Sequence, residues 1–323
     1  MIGSASENGR ERPSGGKGRD MQSVSETGAG QRAGLTAALV SYAIWGMMPL
    51  YWSRTAGALP LEVLSHRIVW AVACIALALL ASGRIGEVRG ALAVMRRDPR
   101  QSALIFSAAV FASLNWLVNI LGSHLERVVE LGIGMFLTPL MTVLFGAIFY
   151  RERMSLLRCA AVGLAACGLA VMVASLGRLP LIAIGVSSTW AAYSAVKKSI
   201  RVDAMLSTGI EHALMLPFAA AFLIWLTAAG EGHFLSGGTP GLWVLLFGTG
   251  IVTSVPMVAY SFAAQRLPLN VLGVIQYLNP LLTISVGCLI MGEAIGVCEA
   301  IALGFIILGV TLFALAPRFE RRC

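Results

Sequence analysis

Ten apolar runs divide the chain, each close to the about 20 residues a helix needs to cross a hydrocarbon core. They cover 34–53, 62–82, 102–121, 130–150, 156–174, 179–196, 207–228, 241–261, 270–290 and 297–316. The segments between them are short, except 83–101 and 229–240. The pattern predicts an all-α polytopic membrane protein with ten transmembrane helices. It also repeats. Residues 132–152 read GIGMFLTPLMTVLFGAIFYRE and residues 273–293 read GVIQYLNPLLTISVGCLIMGE. One offset of 141 lays Gly132 on Gly273, Pro139 on Pro280, Thr142 on Thr283, Gly146 on Gly287 and Glu152 on Glu293. Gly163 with Gly304 and Gly168 with Gly309 keep the register. An internal repeat in a polytopic chain is the usual signature of a secondary transporter.

Composition supports lipid as the solvent. The chain is 57% apolar and 12% charged, where a soluble domain is about half apolar and about a quarter charged. The net charge of +8 is not a nucleic-acid signal, because most Lys and Arg lie in loops between apolar runs. With the N-terminus inside, the cytoplasmic segments hold 20 basic residues against Arg54, Arg127 and Arg178 outside, a positive-inside split of 20 to 3. Both termini are therefore expected in the cytoplasm. Each half has five spans, an odd number, so the second half enters from the opposite side. Two five-helix inverted-topology repeats follow, and such pairs exchange conformations to expose a central site to each face in turn. A static bundle left by gene duplication is the plainer alternative.

The expected layout is a disordered tail over 1–33, a first repeat over 34–174, a second over 179–316 and a short tail over 317–323. Residues 1–33 have no apolar h-region, so no cleavable signal is expected. Five of the six cysteines (Cys74, Cys159, Cys167, Cys288, Cys298) sit in apolar runs, Cys323 is last, and no CxxC or metal spacing occurs.

Particular runs narrow the class. LVSYAIWGMMPLYW at the first span, LEVLSHRIVWA at 61–71, NW at 115–116, LTPL at 137–140, GIVTSVPM at 250–257 and QYLNP at 276–280 resemble the RarD family. This is a branch of EamA-type permeases in the drug/metabolite transporter superfamily. The similarity runs from about residue 33 to 315. It implies ten helices, two EamA repeats, an inner-membrane location and a permease of the kind described as conferring chloramphenicol resistance. The chain departs from the pattern at Thr138, where Asn is usual, and at Met135, where an aromatic is common. Both changes lower polarity near the expected cavity.

Ionisable groups inside spans cost about 2.5–3.5 kcal/mol each at mid-helix on insertion scales, so each needs a reason. The second span carries Glu62, His66 and Arg67. Glu62 and His66, four apart, share a face with Trp70, and Arg67 points about 100° away from His66. These groups can pair, bind an anion or take up a proton; a structural ion pair near the outer helix end is the alternative. Glu130 opens the fourth span, as a coupling carboxylate or as an acid at a helix N-terminus. Glu211 opens the seventh span beside His212 and is expected to meet Lys197 or Lys198, as a gate or a plain charge pair. The resemblance places an acid at Glu130 and Glu211.

Pro139 and Pro280 remove backbone donors and should kink their helices beside a central pocket. Thr138, Gln276, Tyr277 and Asn279 supply polar groups there, and Asn115 and Asn119 stripe the third span beside Trp116. Trp45 and Trp190, at mid-span, make a stacking wall or a packed core. Trp52, Trp225 and Trp243 fit the interfacial belt. Glu152 and Glu293 read as caps or anchors of the following helix. Gly163, Gly168, Gly304 and Gly309 suit close helix approach at the periphery, with a homodimer contact as a candidate.

No Walker loop, metal cluster or hydrolase elbow is present in the sequence, so no cofactor and no catalysis are expected. The expectation is an inner-membrane permease exporting a small metabolite or drug-like molecule by alternating access. Protons taken up at His66, Glu130 or Glu211 are the candidate coupling ion. A non-transporting membrane sensor or assembly partner is the second reading. The only partners expected are a small-molecule substrate, the bilayer and a second copy, and no nucleic acid.

Overall fold

A computed structural model describes residues 16–125, 128–177, 179–290 and 296–320, and the regular structure among them is all helical. Arg127, Arg178 and Glu293 lie outside the described residues. The first predicted span is α1 (Gly16–Gly46), followed across a 40° bend by α2 (Met48–Trp52). Pro49 explains the bend, because it has no N–H for the carbonyl of Trp45. α1 begins at Gly16 and so takes in part of the segment that precedes the first apolar run. No proline interrupts that stretch, and a nucleated helix extends at little cost per residue.

α3 (Pro60–Ala81) starts with proline at its first position, where a missing N–H costs nothing. The long connection 83–101 holds an unforeseen amphipathic helix, α4 (Glu87–Arg97), which ends in Arg96 and Arg97. These cations suit the negative end of its dipole. α5 (Pro99–His124) and α6 (Val128–Tyr150) follow. α7 (Leu156–Leu176) is capped by Ser155, which accepts from the Arg158 N–H at 3.3 Å. α8 (Leu181–Ser199) leads to α9 (Ala204–Ala228), where Asp203 accepts from the Met205 N–H at 3.0 Å. α10 (Pro240–Arg266), α11 (Leu269–Gln276), α12 (Leu278–Leu289) and α13 (Val297–Glu320) complete the chain.

Helices occupy all ten predicted segments. Seven are long and apolar enough to cross a membrane, or eight if the bent first pair is one span. α8 is only 19 residues long, carries three consecutive hydroxyl residues (Ser187, Ser188, Thr189) and ends in two lysines. In α13 the long apolar stretch is limited to Ala300–Ala316.

The repeat-related prolines behave differently from one another. α6 is regular through Pro139, whereas the regular pairing of the second helix is interrupted at Tyr277, ahead of Pro280, while its backbone stays helical there. Pro280 cannot donate to the carbonyl of Gln276, and the interruption falls beside that carbonyl. The Pro139 carbonyl packs against Gly273, where an added Cβ would lie 2.8 Å from it.

The main core joins α1, α3, α5, α8, α9, α10 and α11. α7 packs instead on α13, off to one side. Their glycines make that contact: a Cβ at Gly168 would meet the Ala302 carbonyl at 2.8 Å, and one at Gly309 the Ala161 carbonyl at 2.6 Å. These two positions are therefore used within the chain. Gly163 and Gly304 have open space around them.

Candidate functional site

The bundle encloses a cavity of about 740 Å³, a size suited to a metabolite-sized molecule. α1 brings Tyr42 and Trp45, α2 brings Trp52, and α3 brings Arg67. α5 contributes Asn115, Trp116 and Asn119, α6 contributes Met135 and Thr138, and α8 contributes Trp190. Gln276 and Asn279 flank the α11–α12 junction, and Met257 of α10 completes the lining. The cavity reaches the loop residues Thr55–Pro60 at one end of the bundle. α7, α9 and α13 contribute none of the described lining residues.

Ten of the residues expected at or near the pocket from the sequence meet here: Trp45, Arg67, Asn115, Trp116, Asn119, Met135, Thr138, Trp190, Gln276 and Asn279. Helical spacing explains the amides. Asn115 and Asn119 are one turn apart, and Asn119 donates to the Asn115 carbonyl at 2.8 Å. Asn115 donates to the Val186 carbonyl at 2.8 Å and to Thr189 at 3.1 Å, pinning α5 to α8. Thr138 spends its hydroxyl on the Gly134 carbonyl, at 2.6 Å. Thr142, below it, donates to Thr138 and to the Gln276 side chain at 3.3 Å, tying α6 to α11.

Trp45 and Trp190 touch edge to face, centroids 5.4 Å apart. Both pack on Tyr260, which also contacts Tyr42 and Tyr193. Wall and core are thus one aromatic cluster, with ring pairs at separations that favour tilted and edge contacts. The tyrosines are fully buried, and Tyr42 is the one of the three that lines the cavity. Sequence inspection missed them because an apolar helix gives Tyr no distinguishing spacing.

Arg67 projects into the cavity. Its Nε donates to Thr253 at 3.1 Å. Its guanidinium lies 4.9 Å from the Trp52 ring centroid and 5.4 Å from that of Trp116. Trp52 is therefore a cavity residue, not only an interfacial one. The 40° bend before α2 turns it inward, and no hydropathy pattern reveals that.

Other candidates stand elsewhere. His66 faces away from the cavity, accepting from Trp70 Nε1 at 3.1 Å and packing on Phe234 at 4.7 Å. Glu62 makes no hydrogen bond to His66 among the described residues. It holds the unforeseen His233 of the 229–240 connection, through backbone N–H at 2.7 Å and ring Nδ1 at 2.8 Å. Pro139, Tyr277 and Pro280 do not line the cavity. Their effect is through the backbone: the carbonyls that the two prolines leave without a donor belong to Met135 and Gln276, both lining residues. Glu130 is fully buried in the first turn of α6 and accepts from the Ile182 N–H at 3.1 Å, at the N-terminus of α8. That contact places the carboxyl at the N-terminal end of the neighbouring helix, where the dipole favours an acid.

At the end of the bundle opposite Thr55–Pro60, Lys197 and Glu211 pair at 2.6 Å with no solvent exposure at the lysine. Ser207, Thr208 and Tyr193 complete their hydrogen bonds. Lys198 turns the other way, to Glu152 at 2.9 Å. Glu152 also accepts from the backbone N–H groups of Leu269 and Asn270, both at 2.8 Å. It caps α11, in the other half of the chain, and not the helix that follows it. The helix following it already has Ser155 as its cap.

The profile of the EamA-like transporter family matches the chain twice, over residues 32–174 and 179–315. The chain belongs to the EamA-like transporter family. It is 35% identical over 264 residues to a "Protein RarD" of Streptomyces exfoliatus, covering 82% of each chain. It is 32% identical over 292 residues to a "Protein RarD" of Escherichia coli K12, covering 90% of this chain and 97% of that one. An "Uncharacterized transporter" of Vibrio cholerae is 32% identical over 283 residues, covering 88% and 92%. A solved chain described as "Crystal structure of protein" superposes with a TM-score of 0.68 at 20% identity, over 88% of this chain and 99% of its own, a likeness of fold alone. The RarD resemblance carried by the HRIVW, GIVTSVPM and QYLNP runs is thereby established. The protein is a multi-pass membrane member of a permease family within the drug/metabolite transporter superfamily.

Proposed function

We propose that this protein is an inner-membrane secondary transporter that moves a small amphipathic metabolite or drug-like molecule by alternating access. The cavity carries the proposal. In a chain of a permease family, about 740 Å³ of aromatic and amide-lined space lies inside the bundle and reaches Thr55–Pro60, with the buried Tyr42, Tyr193 and Tyr260 cluster packed behind Trp45 and Trp190. Ten membrane crossings in two five-helix inverted repeats, with both termini cytoplasmic, fit the double family match and the 20 to 3 charge split. On that orientation the cavity faces outward, and rocking of the two repeats would expose it inward. Net export requires coupling. Protons are the proposed ion, and Glu211 with Lys197, next to the tyrosine cluster, is the proposed place where the inward gate would release.

The test is transport. Purified protein in proteoliposomes is offered a labelled mixture of amino acids, metabolites and chloramphenicol, with and without an imposed proton gradient. Gradient-dependent accumulation of one compound is the expected result. Gradient-independent exchange would retain the permease and remove the coupling. No flux of any compound, from protein shown to be folded, would overturn the transport reading.

A further inference from the structure

We propose that the cavity takes a monoanionic ligand, a carboxylate carried on a flat apolar body, with Arg67 as its anchor. This rests on the permease reading, because it takes the cavity to be the cargo site. The first support is a comparison of charges. Lys197 has Glu211, Lys198 has Glu152, and Glu62 has His233. Arg67 alone among these has no acidic partner among the described residues, and the cavity lining contains no carboxylate, histidine or second cation. A charge held inside the bundle without compensation is costly, and a ligand anion removes that cost.

The second support is geometry. Thr253 holds Nε, and the two indole rings hold the guanidinium by their faces. Both terminal amino groups remain without a protein acceptor among the described residues. A fixed guanidinium fork with its amino N–H groups unengaged matches a carboxylate through two parallel hydrogen bonds. Lysine presents a point charge and lacks that fork. The same indoles extend beyond the guanidinium as apolar walls, so the body of the ligand is expected to be planar and apolar. One cation sets the ligand charge at minus one: a dianion would leave a buried negative charge, and an organic cation would repel Arg67.

The experiment is binding, separate from flux. Full-length protein in zwitterionic-lipid nanodiscs is titrated calorimetrically with a panel of acids, each beside its own amide and amine. Phenylacetate, phenylacetamide and phenethylamine form one such triplet, and aliphatic and indole triplets extend the panel. At least one acid should bind about tenfold or more tighter than its amide, which corresponds to about 1.4 kcal/mol. Arg67→Gln should bring that ratio to within about twofold, and Arg67→Lys should leave an intermediate ratio. Trp52→Leu keeps the charge and should weaken aromatic acids while preserving their preference over amides. Equal affinity of acids and amides, tighter binding of amines, or no binding of any acid by folded wild-type protein overturns the proposal. So does an unchanged ratio in Arg67→Gln. If that variant does not fold, the wild-type ratio and Trp52→Leu still decide. Acid binding without flux in vesicles would sink the permease reading and leave the anion site. Flux of neutral compounds with acids excluded would do the reverse.

Discussion

Arg67 and Lys197 are both cations placed by the sequence inside apolar helices, and the bundle treats them in opposite ways. Lys197 is fully buried and fully engaged, with Glu211 at 2.6 Å and two hydroxyls within 3.3 Å. Arg67 is half-buried, opens on the cavity and has only a threonine and two aromatic faces. The first arrangement holds α8 against α9 where the bundle is closed. The second spends little on structure and leaves donors facing empty space. A satisfied pair holds the closed end of the bundle together, and an unpaired cation in a pocket is a candidate ligand site.

The sharpest way to break this comparison is to remove one partner of the closed pair. Lys197→Met leaves Glu211 buried and unpaired, and should destabilise the protein by about 3–5 kcal/mol. Thermal unfolding in detergent measures it; an unchanged midpoint would mean that the pair opens to water and is no lock. The double variant Lys197→Met with Glu211→Met should recover most of the loss, since replacing both members of a buried pair by apolar groups is often neutral or stabilising.

A smaller loss is expected one layer out. Glu152→Ala strips the α11 N-terminus of its acceptor at Leu269 and Asn270 and leaves Lys198 with the Leu267 carbonyl and the face of Tyr150. About 1–3 kcal/mol is expected, from charge-assisted hydrogen bonds that are only partly buried. Glu152→Gln should retain part of it. Equal losses for Ala and Gln would show that side-chain volume, not capping, is what matters.

Much of this was legible in the sequence, and the failures have physical causes. Helix positions were readable because lipid demands long apolar runs and internal backbone pairing. Arg67, Asn115, Trp116 and Gln276 could be expected to gather at one interior cavity because polar groups in such runs need partners. Which partner each one finds was not legible. Glu62 and His66 share a helix face, yet His233, 171 residues away, takes the carboxylate, because its connection folds back onto α3. Glu152 caps a helix 117 residues downstream for the same reason. The repeat-related prolines also differ: α6 is regular through Pro139, whereas the regular pairing of the second helix is interrupted at Tyr277, ahead of Pro280, while its backbone stays helical there. Spacing reports which face a residue occupies and says nothing of what the tertiary fold brings to that face.

On the open side of the comparison, stability should hardly move. Arg67→Gln loses one hydrogen bond to Thr253 and two cation–π contacts, each worth about 0.5–1 kcal/mol, while it relieves the cost of an uncompensated charge. The sum should lie within about 1 kcal/mol of zero. A loss as large as that of Lys197→Met would make Arg67 a structural residue and end the contrast.

The smallest effect belongs to a pair that lies exposed on the surface. Arg84 and Glu87 meet at 2.7 Å on the surface, three residues apart, and Arg84 also reaches Asp203 at 3.3 Å. The hydrogen bond from Arg84 holds the Glu87 carboxyl below its ordinary value of 4.5. A carboxyl depressed on folding contributes stability above its unfolded pKa, and that contribution disappears as pH falls through the lower folded value. Wild type and Glu87→Gln should therefore unfold at the same temperature once pH is well below 4.5, and any gap should appear only above it. The gap itself should be hard to detect, because both side chains are bathed in water that screens their attraction. The pair has better geometry than Arg67 and nearly the contact distance of Lys197, yet little depends on it. Distance alone does not rank the three cations; what surrounds each one does. A pH-dependent loss in Glu87→Gln as large as that of Glu152→Ala would refute that ordering.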